Sequence, residues 1–210
     1  ETGYHPLEEL EIQQSVKKSQ STGASAKSSK TQAPTSSEPV AAASIAQVHK
    51  AKLTGTGEEV AVKVLRPKIE RAFRRDIDAF YLAARMIETL APSTRRLRPM
   101  DVISHFEGVV MGELDLRLET ASAAEFAANT EKDEGFSVPE VKWFLSSRRV
   151  MTLAWVGGHP SGDVQAIKAA GHDTNALGER ILKMFLSHAL RDGYFHADMH
   201  QGNLKIADDG

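Results

Sequence analysis

Phe195-His196-Ala197-Asp198-Met199-His200-Gln201-Gly202-Asn203 packs two histidines, an aspartate and an asparagine into nine residues near the end of the chain. Asp198 precedes Asn203 by five residues. That offset suits a phosphoryl-transfer loop, in which an aspartate takes the proton of the attacking hydroxyl and an asparagine holds a divalent cation. The chemistry needs both groups, because a nucleophile must be positioned and charge on the phosphates must be offset. Two other readings stay open on these residues alone. The alternating His196, Asp198 and His200 suit a transition-metal site. A polar loop bonded to its own backbone would also use such residues.

Working outward, the 210 residues suffice for one domain with a real core. A hydrophobic content of 41% and a net charge of −2 indicate a soluble globular chain and give no basic excess for nucleic acid. There is no cysteine, so disulfides and thiolate metal sites are excluded. No apolar run reaches the ~18 residues of a membrane span. The chain opens on Glu1-Thr2-Gly3-Tyr4 without methionine or signal-peptide pattern, as a fragment or processed form would. Residues 1–10 hold a small apolar cluster, Tyr4, Leu7 and Leu10. Residues 11–37 carry eight Ser, four Lys and four Gln, with Ile12 and Val16 as the large aliphatics, a composition expected to be disordered. Globular sequence begins at residue 38.

Val40 to Lys52 and Glu59 to Leu65 flank Gly55-Thr56-Gly57 and are expected to pair as a hairpin. Val60, Val62 and Val64 alternate onto one strand face, Ala61, Lys63 and Leu65 onto the other. A mid-strand lysine needs a partner or solvent; the Val-Ala-Val-Lys context favours a phosphate-binding role over a solvated one. A helix over 68–91 is expected to bury the stripe Ile69, Phe73, Ile77, Phe80, Ala84, Ile87 and Ala91, with Arg71, Arg74, Arg75 and Arg85 opposite. Asp101 is expected to cap a second long helix, 102–131, with Asp115 and Glu119 as neighbours on its surface. Those like charges would call for a cation; alternatively, Glu113 and Asp115 make ordinary surface pairs with Arg117. Residues 137–144 and 148–156 are expected as strands, followed by helices near 161–170 and 175–192. His188 is expected on the buried stripe of the last helix. The element order suits a two-lobed α+β fold.

Three separated motifs then agree. Ala41-Ala42-Ala43-Ser44-Ile45-Ala46-Gln47-Val48-His49, Glu113-Leu114-Asp115 with Glu119 beyond it, and His196-Ala197-Asp198 leading to Gly202-Asn203 resemble, in turn, the Ala-rich nucleotide loop, the Glu-x-Asp motif and the catalytic loop of the UbiB family of atypical protein-kinase-like proteins. The likeness covers residues 38–210. It implies a protein-kinase-like two-lobed fold, Mg²⁺ with ATP or ADP as cofactors, and an ATPase supporting ubiquinone biosynthesis. By position it implies Asp198 as catalytic residue, Asn203 as metal ligand, and Lys63 with its partner Glu119 at the nucleotide phosphates. Ala41, Ala42, Ala43 and Ser44 would border the nucleotide, and Glu113 and Asp115 would serve regulation. Partners implied are the nucleotide, lipid intermediates and other ubiquinone-biosynthesis proteins, at the cytoplasmic face of a bacterial inner membrane, with the membrane-associating segments outside this chain. Alanines in place of glycines keep backbone N–H groups away from phosphate, so weak positioning of the γ-phosphate is expected.

Two parts of the family pattern are missing. No Lys-x-Gly-Gln segment occurs in residues 1–37, and no Asp-Phe-Gly follows Asn203. Asp208-Asp209-Gly210 lies too close to Asn203 for a second strand to intervene and is expected to be a turn. The chain is therefore expected to stop one strand short of a complete site. Alternatives are a small-molecule phosphotransferase, which the catalytic loop alone would also suit, and a catalytically inactive pseudokinase scaffold.

Overall fold

A computed structural model describes residues 39–42 and 44–210 of the chain. The segments expected at 1–10 and 11–37 lie outside the described residues. The chain divides into two compact units. One runs up to Ala121 and takes in Val141–Leu153; the other comprises Ser122–Glu140 and Ala154–Gly210.

In the first unit, β1 (Ala41–Ala42), β2 (Ala46–Lys52), β3 (Glu59–Leu65) and β4 (Val150–Ala154) form one sheet in that order. The expected hairpin is β2–β3, closed by Leu53 N–H donating to the Glu58 carbonyl at 2.8 Å. Residues directly opposite in an antiparallel pair share a face. Ala51 opposes Val60 and His49 opposes Val62, so His49 lies on the face of the apolar cluster Val60, Val62 and Val150. Val48 opposes Lys63, which turns to the other face.

Helix α1 (Ile69–Leu90) buries only part of its expected stripe. Ile77 and Ala84 are buried, whereas Phe80 and Ile87 are about half exposed. Phe80 meets Phe106 edge to face, with ring centroids 6.0 Å apart. The expected single helix 102–131 is two helices, α2 (Pro99–Glu113) and α3 (Leu116–Asn129). Asp101 is not the cap of α2. Arg98 at φ 49° precedes Pro99 at the first helical position, and Asp101 sits in the first turn, 2.8 Å from Arg98 Nε. The break falls at Leu114-Asp115. Asp115 accepts the Leu118 N–H on its carbonyl at 3.0 Å and the Arg117 N–H on Oδ1 at 3.1 Å, which makes it the N-cap of α3.

The strand expected at 137–144 is reduced to one bridge, Val141 to Leu153. Side chains take the backbone groups a ladder would use. The Ser146 hydroxyl accepts the Thr152 N–H at 3.0 Å, and the Thr152 hydroxyl donates to the Leu145 carbonyl at 2.8 Å.

In the second unit, α4 (Val164–Ala169) starts at Asp163, which accepts the Ala166 N–H at 2.9 Å. Helix α5 (Thr174–Ser187) starts at Asp173, which accepts the Asn175 N–H at 2.8 Å. It runs on into a π-turn, His188–Asp192, and stops at Gly193. β5 (His159–Pro160) and β6 (Lys205–Ile206) pair antiparallel and close the loop between them. Gly158, at φ 84°, enters this pair so tightly that an added Cβ would overlap the Ile206 carbonyl.

Candidate functional site

In the first unit the register of β3 and the first turn of α3 bring Lys63 and Glu119 together. Lys63 Nζ donates to both Glu119 carboxylate oxygens at 2.6 Å. Their side chains remain 27% and 47% exposed. A pair this open contributes about 1 kcal/mol or less to stability. Its effect is to fix where the ammonium stands.

Asp115 and Glu119 do not share a cation: Glu119 takes Lys63, and Asp115 makes the alternative pair with Arg117, because the helix break separates their roles. Arg117 grips Asp115 through Nε at 2.9 Å and a terminal nitrogen at 2.6 Å. These bonds, aided by the Arg117 N–H, hold the Asp115 carboxyl down to a pKa of about 2. Glu113 is the last residue of α2. Of the Ala-rich stretch, Ala41 and Ala42 form β1, paired with Val48 and Gln47, and Ser44 is exposed in a bend. Ala43 lies outside the described residues.

In the second unit Asp198 and Asn203 come together on the loop. The Asn203 amide nitrogen donates to the Asp198 carbonyl at 2.9 Å and to its Oδ2 at 3.2 Å. That leaves the Asn203 amide oxygen, the atom that would ligate a hard cation. His200 shapes the turn between them. Its Nδ1 accepts the Gly202 N–H at 2.9 Å, and its carbonyl accepts the Asn203 N–H at 3.0 Å. With Nδ1 as acceptor, the neutral ring carries its proton on Nε2, 3.6 Å from Asp198 Oδ2. A Cβ at Gly202 would lie 2.6 Å from the His200 ring, so any larger residue there would displace the ring from this turn. The exposed Asp198 carboxylate is thus held by the Asn203 amide on one side, with the His200 ring beyond hydrogen-bond distance on the other.

The transition-metal alternative is not formed. Among the described residues no three His, Asp or Glu side chains are grouped to hold a metal ion. His196 instead lines a cavity of about 20 Å³ with Phe126, Phe185, His188 and Met199, which is room for no more than a water molecule. Asp208 and Asp209 form a turn after β6, closed by the Gly210 N–H on the Ala207 carbonyl at 3.0 Å. Lys205 ties β6 down, donating to the Val156 carbonyl at 2.9 Å with its ammonium 4.8 Å from the Trp155 ring centroid.

Two residues around the loop escaped sequence reasoning. Asp133 and Arg191 meet through two hydrogen bonds, of 2.7 and 2.8 Å, across 58 positions of sequence. No spacing rule connects positions so far apart. Among the described residues no helix is long and apolar enough to cross a membrane.

Comparison with known proteins bears on the whole arrangement. Residues 5–210 match the model of the ABC1 atypical kinase-like domain. The chain is 40% identical over 172 residues to a "Probable protein kinase UbiB" of Aliivibrio fischeri, covering 82% of this chain and 32% of that relative. A protein of the same description from Cronobacter sakazakii is 41% identical over 171 residues, covering 81% of this chain and 31% of its own length. One from Pseudomonas paraeruginosa is 39% identical over 170 residues, with 81% and 32% covered. The chain thus spans about a third of the length of the curated relatives it matches.

Proposed function

Because the chain belongs to the ABC1 atypical kinase-like family and has its α+β kinase-like fold, we propose that the protein binds ATP or ADP with Mg²⁺ and transfers the γ-phosphoryl group of ATP to water, releasing ADP. The Lys63–Glu119 pair carries the reading. A strand lysine held by a helix carboxylate is the arrangement that sets an ammonium against nucleotide phosphates. Asp198 is the catalytic residue. An attacking oxygen forms a bond to the γ-phosphorus, its proton passes to the Asp198 carboxylate, and the bond to the β–γ bridging oxygen breaks. Asn203 holds Asp198 in place and would offer its amide oxygen to Mg²⁺. That ion, when bound, offsets charge on the phosphates.

Ala41, Ala42, Ala43 and Ser44 border the nucleotide in this reading. Glu113 and Asp115 serve regulation, with Asp115 acting through the start of α3, which carries Glu119. The energy of hydrolysis supports ubiquinone assembly, on or beside lipid intermediates at the cytoplasmic face of a bacterial inner membrane. Domain organisation follows the sequence: an N-terminal remnant 1–10, a low-complexity segment 11–37 and the kinase-like domain 38–210.

The test uses the protein expressed from its complete reading frame. Nucleotide affinity is measured by calorimetry with Mg²⁺, and turnover by phosphate release. Asp198→Asn should lower turnover by about a thousandfold or more, some 4 kcal/mol in the barrier, with affinity changed less than about threefold. Wild-type turnover retained in that variant sinks the assignment. Binding without any turnover in the wild type would make the protein a pseudokinase scaffold.

A further inference from the structure

The second unit holds a cluster of charged groups that the proposed chemistry does not use. Asp133 lies in the turn after α3. Its Oδ1 and Oδ2 accept the two terminal nitrogens of Arg191 at 2.7 and 2.8 Å. Its Oδ2 also meets His188 Nε2 at 2.9 Å. Arg191 binds a second carboxylate, Asp192, through Nε and a terminal nitrogen, both at 2.7 Å. His188, Arg191 and Asp192 all belong to the π-turn that ends α5. Such turns carry an extra residue and recur where a helix must re-aim its side chains.

The cluster is joined to the catalytic-type loop by packing. The His188 ring is buried, edge-on to Phe126 at 5.3 Å and against Phe136 at 5.1 Å. Phe126 lies 6.3 Å from the Tyr194 ring, whose hydroxyl donates to the Ser122 carbonyl at 3.3 Å. Phe195 meets Phe185 edge to face at 5.3 Å. His188 lines the same small cavity as Phe195, His196 and Met199. Phe195, His196 and Met199 therefore rest on a floor that the ion cluster locks. Within the loop, the bonds among Asp198, His200, Gly202 and Asn203 set its local shape. Its C-terminal end is tied by the Ser161 hydroxyl, which donates to the Gln201 carbonyl at 3.3 Å, and by the β5–β6 pair, while its start at Phe195 and His196 is supported by the floor.

We propose that Asp133, His188 and Arg191 form a clasp that positions the Asp198 loop, making them positioning residues for phosphoryl transfer. This rests on the reading of Asp198 above for its effect on turnover, but not for its effect on the loop. A bidentate carboxylate–guanidinium pair fixes direction as well as distance. Lysine keeps the charge and loses the fork. Arg191→Lys is thus a mild variant that should fold, and Asp133→Asn is a sharper one of equal size.

The experiment compares both variants with the wild-type protein expressed from its complete reading frame. Amide hydrogen exchange is followed over residues 194–203, with the β2–β3 hairpin as internal control, and steady-state ATP turnover is measured beside it. In Arg191→Lys the loop should exchange at least tenfold faster while the hairpin is unchanged. Its kcat should fall at least tenfold with the nucleotide KM held within threefold. Asp133→Asn should do the same or more. Loop exchange within twofold of wild type in a folded Arg191→Lys protein overturns the clasp, and so does faster exchange with unchanged kcat. If the wild-type protein shows no turnover, the proposed function fails, and loop exchange in the two variants still decides whether the clasp exists.

Discussion

Lys63 and Asp198 stand on opposite kinds of scaffold. Lys63 is in the middle of a seven-residue strand, and its direction follows from the pleat and the register against β2. One contact, to Glu119, completes its placement. Asp198 stands on irregular backbone in which no ladder or helix dictates direction. Its neighbours supply that direction instead, through Asn203, His200 and the β5–β6 pair. A group on regular structure costs few dedicated residues, whereas a group on a loop needs many, drawn from distant parts of the chain.

The sharpest way to break this comparison is at Gly158. Gly158→Ala puts a side chain where φ is 84° and where the Cβ overlaps the Ile206 carbonyl. The left-handed conformation alone costs about 1–2 kcal/mol, and the overlap should raise the loss of stability to about 3 kcal/mol or more. Chemical denaturation would measure it. A loss below about 1 kcal/mol would show that β5 and β6 are not what holds the loop end.

On the strand side, Lys63→Met should weaken nucleotide binding about tenfold to a hundredfold, some 1.4–2.8 kcal/mol. Since the ion pair is open to solvent, stability should change by no more than about 1 kcal/mol. Calorimetry and a thermal melt separate the two. A variant that binds normally but melts much lower would make Lys63 a structural residue.

Acid titration sharpens both sides. Asp115 and Asp133 are each held to a pKa of about 2 by their arginine partners, Arg117 and Arg191, with His188 adding to the effect on Asp133. Their folded pKa values lie below the unfolded ones, so their stabilisation is complete above about pH 4. It drains away as pH falls towards 2, because the unfolded chain takes up protons first. Unfolding free energy measured across that window should fall less steeply in Asp133→Asn than in the wild type. Equal slopes would mean that the Asp133 carboxylate is not held by Arg191 in solution.

The same contrast explains what the sequence disclosed. The β2–β3 hairpin was legible from alternation around a glycine turn, and so was the place of Lys63 on the face opposite Val60, Val62 and Val64. The pairing of Asp198 with Asn203 was legible from an offset within one loop. Helix periodicity misled at residues 102–131, because Asp115 offers the backbone a cap that competes with continued helix. It misled again at Phe80 and Ile87, where an apolar stripe is only partly covered. The strand expected at 137–144 was lost to the hydroxyls of Ser146 and Thr152, which look like ordinary polar residues in sequence. The burial of His188 was legible, but its meeting with Asp133, and that of Asp133 with Arg191, was hidden for a different reason: it depends on how a π-turn faces a turn more than fifty residues away.

His49 gives the smallest expected effect, and it tests the strand side from within the sheet. It is buried beside Val60 and Val62, and its Nε2 has no hydrogen-bond partner. Burial lowers its pKa from the ordinary value of 6.5, because a charged ring cannot be solvated there. The sign follows from which state binds protons more readily. Above pH 6.5 both states hold the ring neutral and nothing is lost. As pH falls below that value the unfolded chain is protonated first, so stability declines towards the depressed folded pKa. His49→Leu removes the titrating group and the unpaired nitrogen together. Its unfolding free energy should therefore fall less than that of the wild type between pH 7.5 and pH 5.5, with little change at pH 7.5. If the two proteins lose the same amount, the ring is not confined to the apolar face of the sheet. The strand that carries Lys63 would then lack the fixed register from which the direction of its ammonium was derived.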